Sequence, residues 1–476
     1  MKRYETLAAH IEDSIRSGVL RSGDRLPSVR TAARNGGISP STVFGAYYLL
    51  EARGLVRARA KSGYYVSASP RRFPPEARTV TPAEEESVDV AVTERVFHIL
   101  EQTARRKAVP FGSAFASPLL FPLPRLGRYL AAAARSLDPW STVDDLTPGN
   151  EALRRQIALR YLGNGMRVPI EEIVITNGAL EALNLCLSAV ARVGDSIIVE
   201  SPTFYAALQS LERLGMRAIE VPTHQREGID LNALESAIKR HKPKACWLMT
   251  TFQNPMGSTQ PEPKKSALVK LLTRYDVPLI EDDVYAELYF GAKPPLPAKA
   301  FDKAGLVLHC SSFSKCLAPG YRIGWTAAGR YARKVAHEKL STTITSSTPT
   351  QIALANYLEH GGFDKHLRKL RQTLEKQQRL FAQAIGHYFP EGTRATRPAG
   401  GYFLWIELPV GADSLEIESR ALKLGICVAP GPIFSARSRF HNFLRLNYGH
   451  AWNERGEWAI ETLGGLIAAD RMRSAA

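Results

Sequence analysis

The stretch SSFSKCLAPGYRIGW, Ser311 to Trp325, sets one lysine, Lys315, among small and apolar residues, with an arginine, Arg322, seven positions later. A lysine on a surface helix or loop keeps charged neighbours and water, whereas one among Ser, Phe, Cys and Leu is partly desolvated. Desolvation disfavours the ammonium form, lowers the pKa and leaves a nucleophilic amine. That is the state needed for a Schiff base with a carbonyl compound. The competing reading is a lysine stem lying on apolar surface with its head in water, the default for any single lysine. This stretch alone leaves both open.

Upstream, the apolar runs EEIVITNG, DSIIVESP, ACWLMTTF, VPLIEDDVY and LVLHCSSFSK alternate with helical stretches such as ALEALNLCLSAVAR and PKKSALVKLLTRY. Near-continuous apolar strands alternating with helices predict an α/β fold with a mainly parallel sheet covered on both faces. Ligands of such sheets bind at the carboxyl ends of the strands. After about residue 340 the pattern becomes long helices around a short strand-rich piece, AGGYFLWIEL, which predicts a smaller second lobe.

The predicted strand ends carry the residue types that a pyridoxal phosphate site needs. Asp282 in VPLIEDDVY can hold a proton on a pyridine nitrogen, and Tyr285, three residues on, can reach the ring hydroxyl, as can Asn254 in QNPMG. Gly178 between a strand and a helix leaves the amides of Ala179 and Leu180 free for a phosphate. Ser312, Ser314 and Arg322 complete its hydrogen bonds and charge. Phe204 in SPTFYAAL can stack on the ring, and Arg445 in NFLRLNYG has the fork that clamps a carboxylate. Each signal has a plain counterpart: a solvated acidic turn, an Asn-Pro turn, a pair of core aromatics, a structural ion pair. Six of them at strand ends of one kind of sheet favour the cofactor reading.

The chain has 476 residues, 45% hydrophobic and 23% charged, an ordinary balance for a soluble globular protein of several domains. Five scattered cysteines without a C-x-x-C argue against a disulfide framework and a zinc site, so no metal is expected and a reducing cytosol fits best. The amino-terminal MKRYETLAAHIEDSI is charged where a signal peptide is apolar, and no run of 18 apolar residues occurs. Neither export nor a membrane span is expected. The net charge is +16, and residues 1–72 hold 13 Lys/Arg against 5 Asp/Glu. That concentration has the form of a nucleic-acid footprint.

Within this basic block, Leu7, Ile11 and Ile15 recur every four residues and predict one buried helix stripe. LPSVRTAARNGGISPSTVFGAYYLLEARGL follows as helix, Gly-Gly turn, helix. Ser39 can cap the second of these helices with Pro40 at its first position, and Val43, Ala46, Tyr47 and Leu50 form the inward face. Ser39, Ser41 and Thr42 are left at the exposed end, where a recognition helix meets bases and phosphates. LVRARAKSGYYV reads as two short strands with Arg57, Arg59 and Lys61 available for phosphates. Residues 67–88, with four prolines and no hydrophobic periodicity, read as an exposed linker without a core of its own.

SGVLRSGDRLPSVRTAA, ISPSTVFGAYYLLEARGLV and SGYYV, in this order, resemble the winged helix–turn–helix of the GntR family of bacterial transcription regulators. The resemblance implies DNA contacts at Arg25, Arg30, Pro40, Ser41, Thr42 and the wing from Lys61 to Gly63. Pro40 and Phe44 stand where relatives often place arginines. Residues 110–476 resemble fold type I, aspartate-aminotransferase-like enzymes. By that similarity Lys315 is the Schiff-base lysine, Asp282 the pyridinium partner, and Asn254 and Tyr285 the ring-hydroxyl partners. Ala179, Leu180, Ser312, Ser314 and Arg322 form the phosphate cup, Phe204 stacks, and Arg445 takes a substrate carboxylate. Two positions depart from that pattern: Ala179, often Ser or Thr, and Asp145, where an inter-subunit tyrosine is usual.

The two halves on one chain resemble the MocR subgroup of these regulators. The resemblance implies a reader at 1–66, a linker at 67–88 and a body at 89–476 whose small lobe starts near 341. It also implies a cytoplasmic homodimer on double-stranded operator DNA that holds pyridoxal phosphate on Lys315. An amine or amino-acid effector would be sensed through aldimine exchange. The rival expectation is an active fold type I aminotransferase with a tethered DNA-binding domain.

Overall fold

The computed structural model describes residues 3–474 apart from 18, 22, 53, 60–61, 67–72, 79–85 and 104–107. At the amino end three helices, α1 (Arg3–Arg16), α2 (Val29–Gly36) and α3 (Pro40–Ala52), pack with a hairpin of β1 (Val56–Arg59) and β2 (Gly63–Val66). Local chemistry sets these boundaries. The Ser28 oxygen accepts from Thr31 N at 3.1 Å and starts α2, and Gly37 ends it in the left-handed region at φ 61. The Ser39 oxygen accepts from Thr42 N at 3.2 Å, and Pro40 opens α3.

Val43, Ala46, Tyr47 and Leu50 are buried, as their spacing predicts. On α1 the fully buried residue is Ala8, while Leu7, Ile11 and Ile15 are only partly buried against the same cluster. A unit this small has too little interior to cover a complete stripe of large side chains. Lys61 lies outside the described residues.

The body is built on an eight-stranded sheet. Its strands are β4 (Ile173–Thr176), β5 (Ser196–Ser201), β6 (Arg217–His224), β7 (Gly228–Ile229), β8 (Ala245–Leu248), β9 (Leu279–Asp282), β10 (Val307–Ser312) and β11 (Gly324–Ala327), in spatial order β4-β11-β10-β9-β8-β5-β6-β7. β10, β9, β8, β5 and β6 pair in parallel. β11 runs antiparallel to both β10 and β4, so β4 shares the direction of the parallel set. β4, β8, β9 and β10 are buried throughout, the consequence of helices on both faces. One edge of the sheet thus collects the carboxyl ends that lead into Gly178, Phe204, Asn254, Asp282 and Lys315.

A short strand, β3 (Val109–Pro110), pairs in parallel with β14 (Ile426–Cys427) of the second lobe. There β12 (Arg394–Ala395), β13 (Phe403–Glu407), β15 (Ala429–Pro430) and β16 (Phe443–Asn447) form a sheet in the order β12-β13-β16-β15. Among the described residues no helix is long and apolar enough to cross a membrane.

The described parts of residues 67–88 differ from the exposed linker their composition suggests. Ala395 N donates to Pro75 O at 2.9 Å and Ala77 N to Ala395 O at 3.3 Å, and Ala77 is fully buried. Val88 exchanges two 2.9 Å backbone hydrogen bonds with Ala218. Unpaired strand edges of both lobes supply the partners, a demand that composition does not register. The reader touches the second lobe as well: Lys376, on the helix Phe363–Tyr388, holds its Nζ 4.8 Å from the Tyr48 ring centroid.

Candidate functional site

The strand ends frame a cavity of about 460 Å³, within the size range of small-molecule sites. Lys315 follows β10 and lines it. Its Nζ donates to Ala114 O at 2.8 Å and stands 4.0 Å from the Phe115 ring centroid and 5.8 Å from that of Tyr285. Burial pushes the Lys315 pKa down to about 7 against the pull of Asp282, and the positive Arg445 and Arg322 add to the fall. A neutral amine is therefore abundant near neutral pH. Asp282 closes β9 on the same cavity at 1% exposure. Burial raises its carboxyl to about 7, with the Lys315 charge opposing. Among the described residues Asp282 Oδ1 has no partner, and a buried acceptor left unpaired costs free energy that a ligand donor would recover.

Gly178, at φ 86, caps the helix Ala179–Val190. A side chain at this position would collide with the Arg322 guanidinium, so the glycine is what lets Arg322 lie across the helix start. Arg322 donates from Nη1 to Ser314 Oγ at 3.3 Å and from Nη2 to Asn177 O at 3.1 Å. Ser314 N donates to Ser312 Oγ at 3.4 Å. With Ala179 and Leu180, these residues line the cavity and gather helix-start amides, two hydroxyls and a guanidinium. That is a donor set for a phosphate. Phe204 and Tyr285 offer their rings to the same space.

Two predicted residues stand apart from the lining. Asn254 is fully buried; its Oδ1 accepts from Arg445 Nη1 at 3.1 Å and its Nδ2 is unpaired. Arg445, fully buried on β16, donates from Nη2 to Gly112 O at 2.5 Å and lies 4.3 Å from the Phe403 ring centroid.

The sequence reading missed the segment Gly112–Phe115. Besides Lys315 and Arg445, Tyr402 Oη donates to Ala114 O at 3.0 Å, and Asn447 Nδ2 donates to Ser113 O at 2.9 Å and Phe115 O at 2.7 Å. Apart from the Phe115 ring beside Lys315, the segment acts through main-chain carbonyls, which leave little side-chain signal. Its one clue is Gly112, where a Cβ would collide with the backbone of Val428.

In the reader, Arg25 forms an isolated β-bridge to Tyr65 and is exposed, as are Arg30, Ser39 and Ser41, while Thr42 is half-buried. The hydroxyls of Ser41 and Thr42 each lie 2.8 Å from Ser39 Oγ.

Comparison with known proteins agrees with both halves. Residues 3–66 match the family "Bacterial regulatory proteins, gntR family" and residues 146–458 match "Aminotransferase class I and II". The chain is 47% identical to the HTH-type transcriptional regulator YdcR of Escherichia coli (strain K12), over 98% of this chain and 99% of that protein. It is a GntR-family regulator of the MocR subgroup. This MocR chain is also 27% identical to the HTH-type transcriptional regulator NorG of Staphylococcus aureus (strain USA300), over 92% of this chain and 98% of that one. Its body resembles the solved structure of LysN, an alpha-aminoadipate aminotransferase from Thermus thermophilus complexed with N-(5'-phosphopyridoxyl)-L-leucine, with a TM-score of 0.72 and 28% identity, covering 79% of this chain and 95% of that one.

The aminotransferase class I and II family and these structural neighbours depend on pyridoxal phosphate. The residues of the MocR chain fit that group: Asp282 Oδ1 and Asn254 Nδ2 are unpaired, a Cβ at Gly178 would fill the Arg322 cradle, and Lys315 offers its amine.

Proposed function

We propose that this regulator senses an amino acid at the Lys315 cavity and that the exchange alters how two readers of a cytoplasmic homodimer meet operator DNA. The observation that carries the reading is the Lys315–Asp282 pair, both pushed to about 7 in one cavity. When bound, pyridoxal phosphate supplies an aldehyde that condenses with primary amines and a ring that draws electrons. Lys315 is the resident amine, nucleophilic because it is desolvated. Asp282 would hold a proton at the pyridine nitrogen, and Asn254 and Tyr285 would serve the ring hydroxyl. The amides of Ala179 and Leu180, with Ser312, Ser314 and Arg322, would hold the phosphate, and Phe204 would stack on the ring.

Arg445 takes the carboxylate of the incoming ligand, and to do so it gives up Gly112 O. Lys315 would give up Ala114 O while its nitrogen is tied to the cofactor and would regain a free amine when a ligand amine replaces it. Ligand binding would then change both donors to the 112–115 segment, Arg445 leaving Gly112 O as Lys315 regains its amine, which couples occupancy to its position. Contiguous packing supports a route onward. Phe111 meets Phe381 at 5.2 Å between ring centroids and Phe381 meets Trp452 at 4.9 Å. Gln383, two residues along from Phe381, packs on Gly54 of the reader.

The test is a visible absorption spectrum of cofactor-loaded wild type and Lys315→Ala with a panel of amino acids, with operator affinity and 2-oxo acid product measured on the same preparation. The expected result is a band lost in Lys315→Ala and shifted by a particular amino acid, with little oxo acid formed. Operator affinity then changes by about 5- to 150-fold, the usual range of coupling between sites. Rapid oxo-acid formation without a change in DNA affinity would overturn the sensing reading in favour of transamination.

A further inference from the structure

The sequence of α3 is PSTVFGAYYLLEA, without a Lys, Arg, Asn, Gln or His. Purine edges in the major groove are read by bidentate Arg, Lys, Asn or Gln, so this helix brings no side chain that can read guanine or adenine in that way. Its one charged residue, Glu51, accepts from Ala58 N at 3.1 Å. The hydroxyls of Ser41 and Thr42 are engaged with Ser39 in the cap.

The inward face of α3 is buried, and Pro40, Phe44 and Tyr48 recur every four residues on the outward one. Tyr48 is taken up by Lys376 of the second lobe. Phe44, one turn nearer the helix start, is 55% exposed. The reader surface is cationic, with Arg25, Arg30, Arg34 and Arg57 all exposed. Phe44 with Tyr48, 46% exposed one turn on, is too small an apolar patch to recruit a protein surface, and the arginines of the reader call for a polyanion.

The major-groove edge of B-DNA offers one apolar group, the C5 methyl of thymine. We infer that Phe44 reads a thymine methyl in the operator, so that apolar contact, rather than a guanidinium on guanine, gives α3 its base specificity. The arginines of α2 and the wing then serve the phosphates and carry no sequence information. This inference rests on the DNA-binding role proposed above and specifies what is read.

Full-length, cofactor-loaded protein is used to enrich duplexes from a random pool, and the enriched sites are resynthesised with deoxyuridine replacing each thymidine in turn, which removes only the methyl. One position per half-site should weaken wild-type binding about fourfold, the value of one buried methyl-sized group. Phe44→Ala should bind the thymidine and deoxyuridine duplexes equally, and Phe44→Leu should keep part of the discrimination. An unchanged cofactor band in both variants verifies an intact body, and an unchanged salt dependence of binding verifies intact phosphate contacts. Wild type indifferent to deoxyuridine at every position, or Phe44→Ala with full discrimination, would overturn the inference while leaving DNA binding standing. Enrichment of no duplex would overturn the DNA-binding role and this inference with it.

Discussion

The reader and the body bury different things. The nine buried residues of the reader cluster, Ala8, Leu26, Ala33, Val43, Ala46, Tyr47, Leu50, Val56 and Val66, carry a single side-chain polar group. That group, the Tyr47 hydroxyl, donates to Pro27 O at 2.9 Å. The body buries Lys265, Lys339, Arg445, Glu200, Asp282 and Asp283 among its apolar residues, and burial raises Glu200 to about 8. A small unit covers a lower fraction of its chain surface and has no surplus to offset a desolvated charge. On the reading proposed above it therefore keeps its chemistry outside, on arginines and the exposed Phe44. The larger body can bury ionisable groups and use the altered proton affinities that result. One half acts by presentation, the other by desolvation.

The contrast breaks most visibly at Leu50. It is fully buried in the reader, and Leu50→Ala should cost about 2–5 kcal/mol, a large share of what so small a cluster supplies. The expected outcome is loss of operator binding with the cofactor band retained, read by gel shift and absorption on one sample. Loss of both would mean that reader and body unfold as one unit and that the division drawn between them is wrong.

A smaller effect tests the body's side of the contrast. Lys315 titrates at about 7 in the fold against 10.5 for an ordinary lysine. Between those values the unfolded chain binds more protons, so this group's contribution to stability rises with pH. Asp282 does the reverse: its folded pKa of about 7 lies above 3.8, and its contribution falls as pH climbs from about 4 to 7. The cofactor-free protein should thus show a stability minimum near neutral pH, of the order of a few kcal/mol. Thermal unfolding of the cofactor-free protein from pH 5 to 9.5 would show the dip, and Asp282→Asn combined with Lys315→Met should remove it. A dip that survives in the double variant would place its origin in other groups.

The same difference explains what could be read in advance. Helix caps such as Ser39 with Pro40, and the alternation of apolar runs with helices, are local, so the reader's order and the body's parallel sheet were legible. Strand-end residues such as Lys315 and Asp282 were legible because a parallel sheet sends its carboxyl ends to one side, and Arg322 was legible because it follows Lys315 closely on the turn into β11. The 112–115 segment was not, because its hydrogen bonds use carbonyls that every residue possesses and a lone Phe115 carries no pattern. The docking of Pro75 and Ala77 on Ala395 was not, because the need of a strand edge for partners lies hundreds of residues away. The position of Arg445 was legible only as a residue type: that its Nη2 is held by Gly112 O depends on the fold of both lobes.

The finest test lies at the seam between the two halves. Arg57 of the wing is 64% exposed at its side chain and stands 3.9 Å from Glu457 of the second lobe. An exposed pair at that distance contributes about 0–1 kcal/mol, so Arg57→Ala should leave thermal unfolding nearly unchanged at physiological salt. If the same arginine serves a phosphate on DNA, as proposed for the wing, its loss should reduce the slope of log affinity against log salt by about one. Glu457→Gln separates the two allegiances. If the body competes with the operator for Arg57, neutralising Glu457 strengthens operator binding at low salt and the gain fades as salt screens the pair. If binding is unchanged across the salt range, the wing is already free, and the Lys376–Tyr48 and Gln383–Gly54 contacts are left to couple the body to the reader.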